Sequence, residues 1–275
     1  MEEKRMIHRN SSFFEDHRRN PSLKIRCFID DVHTHIKENI IMDCILSKRG
    51  EKFGQYIDRY CVLSADYLHI FEDKVYAQYK GSYQLEYITT EFFNDEVSNN
   101  RLGIRFKYGK YTEDLLTKDA SLYNKVKQEL RKLCIQVDLT SRFDILEKIG
   151  EGNFAGVYKA VNKENGEYVA LKKYNSKELE KESNYFEKKC IMQEISMLRR
   201  IRKIENVVQL YEVHEISNSI VLVMILVEGG ELFDVVKARD NFTWQESTTI
   251  MKQVLRGLSK LADLNIAHRD IKPEN

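Results

Sequence analysis

Short runs of β-branched and aromatic residues follow one another between Ile40 and Thr117, with glycine or aspartate between or beside them. Such runs, bounded by turn residues, are typical of short antiparallel strands. The pattern then changes to one stripe of a helix, formed by Leu122, Val126, Leu130 and Leu133. The residues therefore predict a meander of about seven strands, curved into a barrel and closed by one C-terminal helix.

Length and charge balance limit the classes of function. The chain has 275 residues, enough for about two ordinary domains. Hydrophobic residues make up 42%, so folding can bury enough apolar surface to offset chain entropy, and global disorder is excluded. Lys and Arg total 44 against 43 Asp and Glu, and the sequence has no basic or aromatic-interleaved stripe. A nucleic-acid-binding protein is therefore not expected.

Cysteine usage and the lengths of apolar runs indicate an intracellular protein without a membrane span. The five cysteines are far apart and form no CxxC pair, and their odd number cannot pair completely within the chain. The N-terminus lacks the apolar core of a secretory signal. The longest aliphatic run, Ile220 to Val227, has eight residues, whereas a transmembrane helix needs about 20. We expect a cytoplasmic protein whose membrane association, if any, is peripheral.

Polarity and pattern divide the chain into segments. Residues 1–37 are polar and show no sustained period, which predicts a flexible leader. Residues 38–137 carry the predicted strands and the closing helix. Residues 138–142 are a polar joint that is too short to be a long tether, and the second domain is predicted to span residues 143–275.

The order of predicted strands and closing helix over residues 38–137 resembles a pleckstrin homology (PH) domain. The closing helix lacks the tryptophan usual in that family. The resemblance implies targeting to a phosphoinositide membrane surface or to a protein, and lipid-binding members hold phosphates with basic residues on the first two strands. The residues that match this region are Lys48, Arg49, Lys52 and Arg59. Ile57 replaces a second basic residue of the stronger lipid binders, so modest affinity is expected, and an ordinary solvated loop remains an alternative.

A second set of motifs lies after residue 143. Gly150 and Gly152 stand between two strand-like segments, where residues without a Cβ let backbone N–H groups approach phosphate oxygens. Lys172 follows in a predicted strand, VALKKY, and Glu194 in a predicted amphipathic helix. A buried strand then ends at two glycines, and the last eight residues are HRDIKPEN.

These motifs together resemble the eukaryotic protein kinase family over residues 143–275. The KPEN that follows HRD is similar to the serine/threonine branch, and EGGELFD to the calcium/calmodulin-dependent-kinase-like group. The expected fold class is α+β: a PH-like β-barrel with its C-terminal helix, then a truncated bilobal kinase fold with a complete small lobe and the start of the large lobe. The resemblance implies ATP and Mg²⁺ as cofactors and a protein Ser/Thr hydroxyl as substrate.

The kinase resemblance also implies roles for individual residues. The expected ATP-binding residues are Ile149, Gly150, Gly152 and Val157 in the roof, Lys172 and Glu194 as the phosphate-binding pair, Ala170 and Met224 around adenine, Ile225 and Val227 in the hinge, and Glu231 at the ribose. Asp270 is expected to orient the substrate hydroxyl and accept its proton, and Lys272 to steady the γ-phosphate. Asn275 is expected to hold a second Mg²⁺.

The sequence stops at Asn275, before any Asp-Phe-Gly could supply the principal Mg²⁺ ligand. The expectation is therefore an inactive fragment whose parent is a serine/threonine kinase. The alternative is a non-catalytic adaptor that joins a PH domain to a pseudokinase. The presence of Lys172, Glu194, Asp270 and Asn275 favours the kinase, because a decayed site has no physical need to keep all four.

Overall fold

The computed structural model describes most of the chain after residue 39. The described residues are 40–50, 55–75, 78–96, 100–152, 155–175, 185–216, 219–239 and 241–275. The predicted leader at residues 1–37 and the predicted phosphate ligand Lys52 lie outside them. The chain divides into two compact units. Unit one comprises the described residues of Met1–Leu139 and of Glu212–Asn218, and unit two comprises those of Thr140–Tyr211 and Ser219–Asn275.

Unit one contains seven antiparallel strands in the spatial order β4-β3-β2-β1-β7-β6-β5. The strands are β1 (Ile40–Arg49), β2 (Tyr56–Ser64), β3 (Tyr67–Phe71), β4 (Tyr79–Gln84), β5 (Thr89–Asp95), β6 (Arg101–Tyr108) and β7 (Tyr111–Thr117), with a 3-10 helix (Leu85–Tyr87) between β4 and β5. Strand β1 pairs with both β2 and β7, the latter through Ser47 opposite Leu116. A short strand β8 (Ile135–Gln136) pairs in parallel with β5 and with Val213 and His214.

Helix α1 (Ala120–Leu133) supplies the other side of the core of unit one. Asp119 caps its N-terminus, because the Asp119 carboxylate accepts a hydrogen bond from the backbone N–H of Leu122 at 3.0 Å. The predicted stripe faces inward: Val126, Leu130 and Leu133 are buried with apolar residues of the strands. Burying a leucine side chain such as Leu130 contributes about 2 kcal/mol to stability. The helix and the strands thus share one apolar core.

Unit two begins with an antiparallel sheet. The short helix α2 (Leu139–Arg142) precedes β9 (Phe143–Glu151), β10 (Ala155–Asn162) and β11 (Tyr168–Asn175), which lie in the order β13-β11-β10-β9 with β13 (Ser219–Ile225). Strand β12 (Leu210–Ile216) starts in unit two, and its residues from Glu212 belong to unit one. Val221, Leu222 and Val223 of β13 are all buried, as expected of a continuous apolar run in the middle of a sheet.

Three further helices lie in the described residues of unit two. They are α3 (Tyr185–Ile201), α4 (Leu232–Ala238) and α5 (Trp244–Asp263). Helix α3 buries Ile191, Ile195 and Leu198, which lie on one face at spacings of four and three. Helix α5 starts with a capping box, in which the Thr243 hydroxyl accepts from the N–H of Glu246 and the Glu246 carboxylate accepts from the N–H of Thr243.

The model confirms the predicted mixture of helix and sheet. Among the described residues, none of the helices has the length and apolar character needed to cross a membrane.

Candidate nucleotide-binding site

The glycine motif forms the hairpin between β9 and β10. Gly150 lies opposite Val157, and the N–H of Gly152 donates to the carbonyl of Ala155 at 2.8 Å. Neither glycine has a positive φ. A Cβ added at either position would meet its neighbours only at ordinary contact distance, 3.6 Å at Gly150 and 3.7 Å at Gly152. The chain's own packing therefore does not require glycine here, and the missing side chains leave room above the hairpin for a ligand.

Lys172 and Glu194 form an ion pair beside this hairpin. Strand β11 sets Lys172 opposite Val157 of β10, and helix α3 carries Glu194. Lys172 Nζ donates to Glu194 Oε1 at 2.7 Å, and each side chain is about one-third exposed, at 31% and 33%. The ammonium is thus fixed in direction while it stays accessible to an anionic ligand.

Tyr174 completes the arrangement and was not identified from the sequence. Its hydroxyl donates to Glu194 Oε2 at 2.6 Å, so the two carboxylate oxygens accept from different residues of the same strand. The ring is buried, and burial together with the neighbouring Glu194 carboxylate raises the pKa of Tyr174, which keeps the hydroxyl protonated as a donor. Residues two apart on a strand face the same side, and that spacing from Lys172 is the signal that could have found Tyr174.

The predicted adenine residues come together on β11 and β13. Ala170 pairs with Met224, and Val169 with Ile225. The N–H of Ile225 donates to the carbonyl of Gln209 at 3.0 Å, so this N–H is already used within the chain. Two further residues of the expected site are accessible: Ile149 of the predicted roof is 46% and Val227 of the predicted hinge is 69% exposed.

Gln209 is a second residue that the sequence did not single out. Its side-chain amide donates to the backbone carbonyls of Ile204 and Val207, both at 2.7 Å. Its backbone carbonyl accepts from the N–H of Ile225. One side chain therefore fixes the loop before β12 and so supports the end of β13.

Asp270, Lys272 and Asn275 form a separate polar cluster at the end of the chain. Lys272 Nζ lies 3.1 Å from Asp270 Oδ2, and Asn275 Nδ2 donates to the same oxygen at 2.8 Å. These two bonds, that of Lys272 first, lower the pKa of the exposed Asp270 carboxyl, so it is ionised at neutral pH. The preceding Arg269 has a φ of 70°, a left-handed conformation that is strained for a side chain of this size.

The last predicted ribose contact, Glu231, lies at the N-cap position of α4, and its side chain is exposed. The next turn of the chain is tied to the polar cluster, because the N–H of Phe233 donates to the carbonyl of Pro273 at 2.9 Å. The structure thus places Glu231 on an element that is hydrogen-bonded to the segment carrying Asp270.

A cavity of about 330 Å³ adjoins the ion pair. It lies between the glycine hairpin, β11 and α3, and its lining includes Gly152, Ala155, Lys172, Tyr174, Cys190 and Glu194. Most of the lining is apolar, with the ammonium and carboxylate at one side. The site can therefore offer one positive group to an anionic ligand without exposing the whole pair to water.

Comparison with known proteins finds similarity to one family in the second half of the chain. Residues 143–275 match the family model of the protein kinase domain. Calcium/calmodulin-dependent protein kinase type 1B of Rattus norvegicus is 40% identical over 138 residues, which is 50% of this chain and 38% of that protein. The corresponding type 1 kinase of Caenorhabditis briggsae is 36% identical over 138 residues, 50% of this chain and 37% of that protein.

A probable myosin light chain kinase of Dictyostelium discoideum is 34% identical over 128 residues, covering 46% of this chain and 39% of that protein. The chain thus spans less than two-fifths of each of these relatives. We refer to residues 143–275 as the kinase segment. The family match and these relatives show that the kinase segment is similar to protein serine/threonine kinases, a family that uses ATP and Mg²⁺.

The described basic residues that were predicted to bind phosphoinositide lie in unit one, and they do not share a common bonding partner. Lys48 Nζ is 2.6 Å from the carboxylate of Glu113, whose side chain is only 14% exposed. Arg59 donates to the carbonyl of Asp58 at 3.0 Å, and Arg49 is exposed at the end of β1. Lys48 is thus committed to an internal ion pair, which reduces the positive charge that this surface can offer.

Proposed function

We propose that the kinase segment is the nucleotide-binding part of a protein serine/threonine kinase that moves the γ-phosphoryl group of Mg·ATP to a Ser or Thr hydroxyl of a protein. The observation that carries the proposal is the Lys172–Glu194 pair beside the glycine hairpin. An ion pair of this geometry aims an ammonium at a cavity that the glycine hairpin also borders, and that combination suits the α- and β-phosphates.

The polar cluster supplies the groups for the hydroxyl side of the reaction. Asp270 is ionised and exposed, so it can accept a hydrogen bond from the substrate hydroxyl and then its proton as the oxygen attacks phosphorus and the bond to ADP breaks. Lys272, whose Nζ is 3.1 Å from that carboxylate, would steady the γ-phosphate. Phosphoryl transfer depends chiefly on such positioning and charge stabilisation.

The donor set is compatible with Mg²⁺ held by few protein oxygens. Asn275 uses its amide nitrogen toward Asp270, which leaves Oδ1 as a hard oxygen donor for the cation. Within the part of the chain that the structure describes, no group of three or more His, Cys, Asp or Glu could hold a metal. Mg²⁺ commonly keeps waters and binds one or two protein oxygens together with substrate phosphates. When bound, the cation supplies charge neutralisation for those phosphates.

Nucleotide binding tests the proposal directly. We expect a fluorescent ATP analogue with Mg²⁺ to bind the chain, and Lys172→Met to weaken binding at least about tenfold, the order expected for loss of one charge-assisted bond. Lys173→Met is the matched control, because this lysine is next on the same strand, faces the other side and is exposed. Equal affinity of the Lys172→Met variant and the unchanged chain would remove Lys172 from the site and overturn the proposal.

Phosphate transfer separates the kinase from the adaptor alternative. On the protein as its natural host produces it, we expect labelled phosphate to enter Ser/Thr peptides and Asp270→Asn to abolish the transfer. Nucleotide binding without any transfer would favour the adaptor of PH domain and pseudokinase.

Unit one is proposed to be a PH-like targeting domain. Seven antiparallel strands in a meander, followed by a helix that packs on their apolar face, support this proposal. A phosphoinositide ligand has weaker support than a protein ligand, because the Lys48 ammonium already neutralises Glu113.

Vesicle sedimentation tests the lipid role. The probes are phosphatidylcholine vesicles with and without a bisphosphorylated phosphatidylinositol, and the variant is Lys48→Ala with Arg59→Ala. Lys125→Ala, an exposed lysine on α1, is the control. Salt-sensitive binding that the double variant loses supports lipid targeting, because Coulombic attraction is screened by salt. Binding that the double variant leaves unchanged would favour a protein ligand.

A further inference from the structure

Glu194 accepts hydrogen bonds from two residues of one strand at the same time. Lys172 Nζ reaches Oε1 at 2.7 Å, and the Tyr174 hydroxyl reaches Oε2 at 2.6 Å. Since Lys172 and Tyr174 are two apart on β11, both side chains face α3, and the carboxylate is held at both of its oxygens. A carboxylate that is held at one oxygen only can rotate about its side-chain bonds, whereas one held at both has a fixed orientation.

We propose that Tyr174 is a positioning residue, which locks Glu194 and with it helix α3 against β11 so that Lys172 is aimed at the nucleotide before the nucleotide binds. The inference rests on the function proposed above. Tyr174 does not touch the nucleotide in this scheme, and it acts only through Glu194.

The environment of Tyr174 suits this role. The side chain is 3% exposed, so its hydroxyl exchanges little with water and has a defined partner. The Lys172 ammonium also lies 5.3 Å from the centre of the Tyr174 ring, a distance at which the ring face attracts a cation. The tyrosine therefore contacts both members of the ion pair, one by its hydroxyl and the other by its ring.

The chain contains its own reporter of the position of α3. Cys190 is a free, exposed cysteine one helical turn before Glu194, and it lines the same cavity as Lys172 and Tyr174. If Tyr174 holds α3 in place, removal of its hydroxyl loosens the helix and changes the rate at which a thiol reagent reaches Cys190. Peptide mass spectrometry assigns the modification to Cys190 and separates it from the other cysteines.

The experiment compares Tyr174→Phe with Tyr168→Phe, which removes one hydroxyl from an exposed ring on the same strand. In the nucleotide-free chain, we expect Tyr174→Phe to change the rate of Cys190 alkylation, because the thiol lines the cavity beside Tyr174, by up to about tenfold, the factor that corresponds to one hydrogen bond to a charged group. Tyr168→Phe should leave the rate unchanged. Affinity for the ATP analogue should fall by a similar factor in Tyr174→Phe.

A double-mutant cycle distinguishes positioning through Glu194 from general packing. In a Glu194→Ala background, Tyr174→Phe should have no further effect on the Cys190 rate, because the residue through which it acts is gone. A loss of the same size in both backgrounds would show that Tyr174 only stabilises the fold, and the inference would be wrong.

The outcomes also separate this inference from the proposed function. If Lys172→Met leaves analogue binding unchanged, the proposed function fails, whereas the Cys190 cycle still reports on the tyrosine. If Lys172→Met weakens binding and Tyr174→Phe changes neither affinity nor Cys190 rate, only the inference about Tyr174 fails.

Discussion

Asn275 donates from one amide nitrogen to both the side-chain carboxylate and the backbone carbonyl of Asp270, at 2.8 and 2.9 Å. This pair of bonds fixes the side chain of Asp270 relative to its own backbone. Lys272 adds a charged partner on the same carboxylate, so the residue proposed to accept the substrate proton is oriented by two neighbours within five positions of it.

The first prediction concerns the ionisation of Asp270. Its pKa should lie below the ordinary value of 3.8, and Lys272→Met should raise it more than Asn275→Leu, because Lys272 is the stronger cause of the lowering. Because the folded-state pKa is lowered, ionised Asp270 stabilises the folded state above pH 3.8. This stabilisation is lost as the pH falls through the folded-state pKa. Carboxyl ¹³C NMR titration measures the pKa of Asp270 in the unchanged chain and in the two variants. Lys260→Met, a distant exposed lysine, should leave the titration unchanged, and an ordinary pKa in the unchanged chain would contradict the geometry.

The second prediction concerns the start of α5. Thr243→Ala removes the hydroxyl that accepts from the N–H of Glu246, so the free energy of unfolding should fall by about 1 kcal/mol. Thr249→Ala is the control within the same helix, where alanine is favourable. Thermal unfolding followed by circular dichroism measures the difference, and equal loss in both variants would show that the capping box does not stabilise the helix.

The third prediction concerns the core of unit one. Leu130→Ala leaves a cavity at a fully buried position and should lower the free energy of unfolding by about 2–5 kcal/mol. Alkylation of the buried Cys61 and Cys134 in rising urea follows the unfolding of this unit. Val137→Ala, at a site that is 40% exposed, should change stability by no more than about 0.5 kcal/mol. A small effect at Leu130 would contradict its place in the core.

The fourth prediction concerns Gly103 on β6. A Cβ at this position would overlap the end of the Phe93 ring, so Gly103→Ala must push the ring aside. Arg105 lies over that ring at 4.8 Å and would lose the contact. We expect a loss of about 1–3 kcal/mol by the same cysteine measurement. In a Phe93→Leu background the loss should be smaller, and an undiminished loss would place its cause elsewhere.

The sequence predicted those features that depend on local period and motif spacing. The stripe of Val126, Leu130 and Leu133 predicted a helix with one buried face, and the structure has that helix. Lys172 and Glu194 were singled out from spacing, and they lie in contact. The first is a local signal, whereas the second came from motif spacing that resembles a known family, because a contact between β11 and α3 is tertiary.

Other contacts depend on register between distant strands, which no local period specifies. Lys48 and Glu113 pair across β1 and β7, and the sequence offered Lys48 only as a member of a basic group. The Tyr174 hydroxyl meets Glu194 because α3 packs at a particular height on β11. Such partners are fixed by tertiary packing, so the phosphoinositide ligand set remains a prediction that the Lys48–Glu113 pair makes less favourable.

The hydrogen bond from Phe233 to Pro273 has a consequence for local opening. Helix α4 has no buried residue of its own, so most of its amides should exchange with deuterium quickly. The Phe233 amide donates to the carbonyl of Pro273, roughly 40 residues later in the chain. This bond therefore depends on the folded structure of the residues between them, which offsets the entropy cost of closing the loop. Its exchange should therefore be slow and should follow the opening of the segment that carries Asp270, which makes one amide at the start of α4 a reporter of order at the far end of the chain.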